Sequence, residues 1–178
     1  MRIAMFTNTY LPLVGGATLS IVRTADRLRA GGHEVVVVAP DYDEVPKGEE
    51  DVIRVPALKN FNQTRFSVPL SATYNLDGRL DAFKPEIVHA HHPFLLGDSA
   101  LRYAAKMNLP CLVTHHTHDQ LYRQYVPDFA PWLGDYVHEL AAGHANLCDA
   151  VIAPTESIKS ELEEAGVTSP VEVIPTGL

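Results

Sequence analysis

The chain has 178 residues, 46% of them hydrophobic and 20% charged, with no low-complexity stretch or internal repeat, which excludes disordered and fibrous architectures and fits one layered core. Its longest wholly apolar run, Val35-Val36-Val37-Val38-Ala39, is far short of the roughly 18 residues that a bilayer span needs. A formal net charge of −8 disfavours nonspecific contact with nucleic acid.

Polar residues arrive too early in Met1–Asn8 for a signal peptide, so a cytoplasmic location is expected. Six acids crowd into residues 41–51 (Asp41, Asp43, Glu44, Glu49, Glu50, Asp51) against a single Lys47, and the segment reads as a solvated loop. Cys111 and Cys148 lack CxxC spacing and sit in apolar contexts, so they read as buried thiols.

In chain order, short β-branched or apolar runs alternate with stretches of helical period. Seven strands are expected, at Arg2–Thr7, Glu34–Ala39, Val52–Val55, Glu86–Ala90, Cys111–Thr114, Ala150–Ala153 and Val171–Ile174. Pro40, Pro56, Pro154 and Pro175 directly follow four of them and mark their ends. Ile21, Ala25 and Leu28 recur at helical spacing before Gly31-Gly32, with Arg23, Arg27 and Arg29 on the other side. Further helices are expected at Ala72–Phe83, Asp98–Met107, Trp132–Leu147 and Thr155–Ala165, the last opened by a Thr155 cap and closed by Gly166. Residues 56–71 read as loop. The alternation specifies an α/β, Rossmann-like doubly wound, mostly parallel sheet of about seven strands with helices on both faces.

Ligands in such sheets sit beyond the carboxyl ends of the strands. Three loops then become candidates: Asn8–Gly16, His91–Leu96 and His115–Gln120. Gly15-Gly16 lies just before a helix, where unobstructed amides and the helix dipole favour a phosphate or diphosphate. The same pair also suits a plain strand-to-helix turn, and no GxGxxG fingerprint is present. Six of the nine histidines fall in two clusters, His89-Ala90-His91-His92 and His115-His116-Thr117-His118. If their strands are neighbours, both face one crevice and could serve a metal or a polar ligand. The nearest acids, Asp98 and Asp119, do not complete an HxHxDH pattern, which weighs against a metal. His89 reads as a core histidine on its strand, and His33 as a structural anchor beside the second strand. Tyr122, Tyr125, Phe129, Trp132 and Tyr136 would form one helical stripe were Pro127 and Pro131 not there to break it. Two shorter pieces result, facing a ligand or packing on the sheet.

Six motifs taken together resemble a family. They are Pro12-x-x-Gly15-Gly16, Gly32-His33-Glu34-Val35, Pro85-Glu86-Ile87-Val88-His89-Ala90-His91, Val113-Thr114-His115-His116-Thr117, Ala153-Pro154-Thr155-Glu156-Ser157 and Val173-Ile174-Pro175-Thr176-Gly177. Their order is that of group 1, or family 4, retaining glycosyltransferases, and the Thr-His-His-Thr run followed by Tyr122 and Tyr125 is most similar to the branch that includes diacylglycerol glucosyltransferases and related mannosyltransferases. The resemblance implies a GT-B enzyme of two Rossmann-like domains with the active site between them. Residues 1–178 would be the N-terminal, acceptor-binding domain, without the C-terminal domain that binds the nucleotide-sugar donor. By position His116 matches the family's active-site histidine, and Gly15 and Gly16 match the loop near the donor diphosphate. His91, Thr117, Tyr122 and Tyr125 are implied contributors toward the sugar or the acceptor, a lipid or small molecule. Ala17-Thr18 departs from the acidic residue that many members carry after the glycine pair. No cofactor or metal is expected, only the nucleotide-sugar as substrate; any membrane association would be peripheral, at the inner face. Sugar transfer with retention would proceed on one face without a covalent intermediate, and this chain alone should be inactive. A non-catalytic ligand- or partner-binding module and a His-rich metallohydrolase are the alternatives.

Overall fold

The computed structural model describes residues 1–45, 48–70, 76–116 and 132–176. Strands β1 (Arg2–Phe6), β2 (Glu34–Pro40) and β3 (Val52–Val55) are followed by a small hairpin, β4 (Ala57–Leu58) and β5 (Val68–Pro69). Then come β6 (Ile87–Ala90), β7 (Cys111–Thr114), β8 (Ala150–Ala153) and β9 (Val171–Val173). Helices α1 (Gly16–Ala30), α2 (Leu76–Phe83), α3 (Leu96–Met107), α4 (Trp132–Asn146) and α5 (Glu156–Glu164) lie between strands. Seven strands form one sheet in the order β3-β2-β1-β6-β7-β8-β9, every pair parallel. This is the doubly wound arrangement expected from the sequence. Pro40 differs slightly from expectation, ending β2 rather than following it: its missing N–H falls at the strand's last residue, where Asp41 resumes the ladder by donating to the Val55 carbonyl (2.9 Å).

Strands buried on both faces divide their side chains between two cores by simple alternation. Ile3 and Met5 of β1, with Val35, Val37 and Ala39 of β2, pack against Ile21 and Ala25 of α1. Ala4, Phe6, Val36 and Val38 point the other way, into a larger core shared with Leu80, Leu96, Ala100, Ile158 and Leu162 of α2, α3 and α5. Right-handed crossovers explain the division. The chain moves outward from β1 through α1 to β2, then returns past β1 to β6 and continues in the opposite direction, so later helices cover the opposite face. Between β1 and β6 the sheet therefore has its switch point.

Helix ends follow local chemistry. Gly32, at φ +84°, and Gly166, at φ +87°, take the left-handed turns after α1 and α5 that a side chain would strain. Thr155 caps α5 by accepting from the Ile158 amide (3.3 Å). The region expected to be loop, 56–71, contains the β4–β5 hairpin around a turn at Phe61–Gln63. Two-residue strands carry too little periodicity to be read from sequence.

The acidic segment is more engaged than a solvated loop. Glu49, with its side chain only 16% exposed, pairs with Arg54 through both carboxylate oxygens (2.7 and 2.9 Å), while Arg54 also donates to the Pro40 and Leu11 carbonyls. Lys59 bridges Asp41 (2.7 Å) and Asp43 (3.7 Å). These cations lie next to β3 and the hairpin, so the charge pattern of 41–51 alone could not disclose them. Cys111 and Cys148 are buried and free. Among the described residues no helix is long and apolar enough to cross a membrane.

Candidate active site

The carboxyl ends of β1, β6 and β7 bring together segments far apart in sequence. Backbone pairing runs one residue past each strand: Thr7 donates to Val38, His91 to Phe6 and His115 to Ile152, at 2.9–3.0 Å. Asn8 braces the switch point. Its amide donates to His92 Nδ1 (3.2 Å), its side-chain nitrogen donates to the Phe94 carbonyl (2.9 Å), and its Oδ1 accepts from the Leu96 amide that opens α3 (3.0 Å). Because a backbone N–H can only donate, neutral His92 must carry its proton on Nε2. Gly97 completes this wall. A Cβ there would lie 1.8 Å from the His92 carbonyl oxygen, so α3 and the His91-His92 segment approach as closely as only glycine permits.

Four imidazoles from β6, β7 and their ends form one cluster. The rings of His89 and His91 have centroids 4.1 Å apart, those of His91 and His116 lie 5.2 Å apart with planes inclined by 25°, and those of His92 and His116 lie at 6.4 Å. His89 is the core histidine expected from its strand, with Nε2 2.7 Å from the Thr114 hydroxyl. His91, only 3% exposed, lies beneath His116, and its Nδ1 is 3.0 Å from His116 Nε2. Burial pushes the pKa values down to about 3 for His89 and His92 and about 4 for His116, and well below the ordinary value for His91, with neighbouring imidazoles adding to the effect. All four are neutral near pH 7. Among the described residues, no three His, Cys, Asp or Glu side chains are placed to hold a metal ion.

His116 also lines a cavity of about 280 Å³ with Gly16, Ala17, Leu19, Ser20, Arg23, Pro154 and Thr176. The helix dipole of α1 opens onto it without a protein cap. Gly15 is extended, no side chain caps the helix, no acid occupies its first turn, and the Gly16, Ala17 and Thr18 amides have no hydrogen-bond partner among the described residues. A Cβ at Gly15 or Gly16 would meet nothing within 4 Å, so packing does not demand glycine at either position. On the other side of the same loop lies a second cavity of about 390 Å³, lined by Pro12, Leu13, Tyr42, Asp43, Glu44, Asn60, Arg65 and Ser67.

Of the residues singled out from sequence, the structure brings Gly16 and His116 together and sets His91 directly behind His116. Thr117, Tyr122 and Tyr125, with Phe129 of the aromatic stripe, fall outside the described residues. Ser20, Arg23 and Thr176 were not read as site residues. A usable signal exists in the spacing of Gly16, Ser20 and Arg23, which puts them on one face of α1; the helical period alone places Arg23 only on the side away from Ile21, Ala25 and Leu28.

Residues 14–178 match the family described as Glycosyltransferase Family 4. The chain belongs to that family. An alpha-monoglucosyldiacylglycerol synthase of Acholeplasma laidlawii is 30% identical over 192 residues, an alignment that takes in 100% of this chain and 46% of the relative. A GDP-mannose-dependent alpha-mannosyltransferase of Corynebacterium glutamicum is 28% identical over 175 residues, covering 94% of this chain and 41% of that protein. Among solved structures, Anabaena HepE in complex with UDP and glucose superposes with a TM-score of 0.69 at 15% identity, over 100% of this chain and 45% of that one. The chain thus shares its fold with part of HepE, and it spans less than half the length of these curated relatives. Membership decides against the metallohydrolase alternative.

Proposed function

We propose that this chain forms the acceptor-side wall of a retaining glycosyltransferase that moves a sugar from a nucleotide-sugar donor to a lipid or small-molecule acceptor. The observation that carries the reading is the shared cavity: His116 and the uncapped start of α1 line the same space at the carboxyl edge of the sheet. Negative charge grows on a departing diphosphate as the anomeric bond breaks, and preorganised amides at a helix N-terminus stabilise it without reorganising at the moment of reaction. Arg23 adds a cation to that wall. The chemistry so arranged does not call for a metal. No carboxylate lines this cavity among the described residues, which favours departure and attack on one face over a covalent glycosyl intermediate.

The relatives named as an alpha-monoglucosyldiacylglycerol synthase and as a GDP-mannose-dependent alpha-mannosyltransferase support a nucleotide-sugar donor and a lipid acceptor; a lipid acceptor would be met by peripheral association at the inner membrane face. The second cavity, lined by Asp43, Glu44, Asn60 and Ser67, offers acceptors and donors suited to hydroxyl groups of an incoming acceptor. A second Rossmann-like domain closes the cleft and contributes the donor nucleotide's site, so these 178 residues alone bind donor weakly and transfer nothing.

His116→Ala in the full-length protein tests the reading. Transfer from a panel of UDP- and GDP-sugars should fall about 10²–10⁴-fold, with the circular-dichroism spectrum unchanged. Turnover at the parental rate would remove His116 from the site, and transfer by these 178 residues in isolation would show that the donor site lies within them.

A further inference from the structure

His91 has no task in the proposed transfer, although it is the buried partner of the residue placed at the reacting centre. Neutral imidazole carries one proton on one of two nitrogens. His91 Nδ1 and His116 Nε2 are 3.0 Å apart, so one of them supplies the proton between the rings. Were His116 Nε2 to donate, the His91 proton would sit on Nε2, and that atom is buried without a partner among the described residues. An orphaned N–H in the protein interior is the rarer and costlier defect; a buried lone pair is better tolerated. The count therefore favours one arrangement, and burial of both rings prevents an added proton from erasing it.

We propose that His91 is a positioning residue whose Nδ1–H donates to His116 Nε2 and holds His116 as its Nδ1–H tautomer. The inference rests on the assignment of His116 to the active site. His116 Nε2 is then an occupied acceptor, and Nδ1–H is the group left for a ligand in the cavity that His116 lines. A neutral donor at that point selects an oxygen lone pair, from a sugar hydroxyl or a diphosphate oxygen, and rejects an ammonium or a C–H. His92 provides the opposite case in the same cluster, since the Asn8 amide requires its Nδ1 to be the acceptor and its Nε2 to carry the proton.

Long-range proton–nitrogen spectra of the full-length protein, labelled with 15N-histidine, read the tautomers directly, with His116 assigned by the signals missing in His116→Ala. His116 should be in the Nδ1–H form and His92 in the Nε2–H form. His91→Asn, whose amide can still donate to His116, should preserve the Nδ1–H form and most of the activity. His91→Leu, of similar size but without a donor, should release His116 to the Nε2–H form and lower kcat/KM about 10- to 100-fold, the usual scale for losing a partner that orients a histidine. The proposal is overturned if His116 is Nε2–H in the unsubstituted protein, or stays Nδ1–H in a folded His91→Leu. Should His91→Leu fail to fold, the unsubstituted protein and His91→Asn decide by their spectra. An Nδ1–H signal together with full activity in His116→Ala would sustain the tautomer and sink the active-site assignment.

Discussion

Two helices begin at the carboxyl edge of the sheet beside its switch point, and their first turns are completed in opposite ways. In α3 the protein finishes the turn itself. Asn8 accepts the Leu96 amide, the Phe94 carbonyl accepts Gly97, the Leu95 carbonyl accepts Ser99, and Asp98 adds a negative charge. In α1 the corresponding amides of Gly16, Ala17 and Thr18 have no partner among the described residues, no acid occupies the first turn, and a Cβ at either glycine would meet nothing within 4 Å. The glycine of α3 is enforced by backbone contact with His92, whereas that of α1 is enforced by nothing in the fold. One helix start is part of the scaffold, and the other is left open. A glycine before a helix thus says little until its neighbours are known.

The largest effect that could break this comparison is acidification, because the sealed side depends on neutral histidines. Their folded pKa values, about 3 for His89 and His92 and about 4 for His116, lie below the ordinary 6.5, so between those limits the unfolded chain binds protons that the folded protein excludes. Stability is therefore whole above about pH 6.5 and falls as pH drops toward 4, by on the order of 1 kcal/mol per histidine for each pH unit. Urea denaturation at pH 7.5, 6 and 5 measures it, and His89→Gln should flatten the slope by one histidine's share. A flat profile would mean that the cluster is hydrated and the wall is not sealed.

Gly97→Ala comes next. The added methyl meets the His92 backbone, which cannot rotate away, so a loss of about 1–3 kcal/mol is expected in chemical denaturation. Unchanged stability would show that α3 is free to withdraw from His92. The smallest effect on folding should come from the matching change in α1. Gly16→Ala should alter stability by no more than about 0.5 kcal/mol, yet weaken donor-dependent transfer about tenfold, equivalent to about 1.4 kcal/mol. Equal losses of stability in Gly16→Ala and Gly97→Ala would erase the distinction between the two helix starts.

Much of the site was legible because it belongs to strand ends. Once β1, β6 and β7 were placed by their apolar runs, the rule that ligands meet a doubly wound sheet at its carboxyl edge put Gly16 and His116 in one neighbourhood. The buried role of His91 was not legible. His89 lies within β6 and His91 just past its end, so the place of His91 at the strand end suggests an open ring, while packing beneath His116 buries it. Arg23 escaped for a related reason. Its place on the polar side of α1 is correct, but that side faces the ends of β7, β8 and β9, at His116, Pro154 and Thr176, and not only solvent.

What the amino-acid order determined by itself is everything carried by local chemistry. Alternating apolar runs set the strands, the Thr155 cap and the left-handed glycines bounded helices, and parallel connections with a fixed hand fixed how the sheet is wound. Tertiary structure alone decided which polar groups meet. Asn8 reaches across 88 positions to the Leu96 amide, and His91 across 25 to His116. Arg54 reaches back to Leu11 and Glu49. The physical reason is that a hydrogen bond depends on atoms within about 3 Å in a given direction, and positions distant along the chain acquire that relation only when the whole sheet has closed around them.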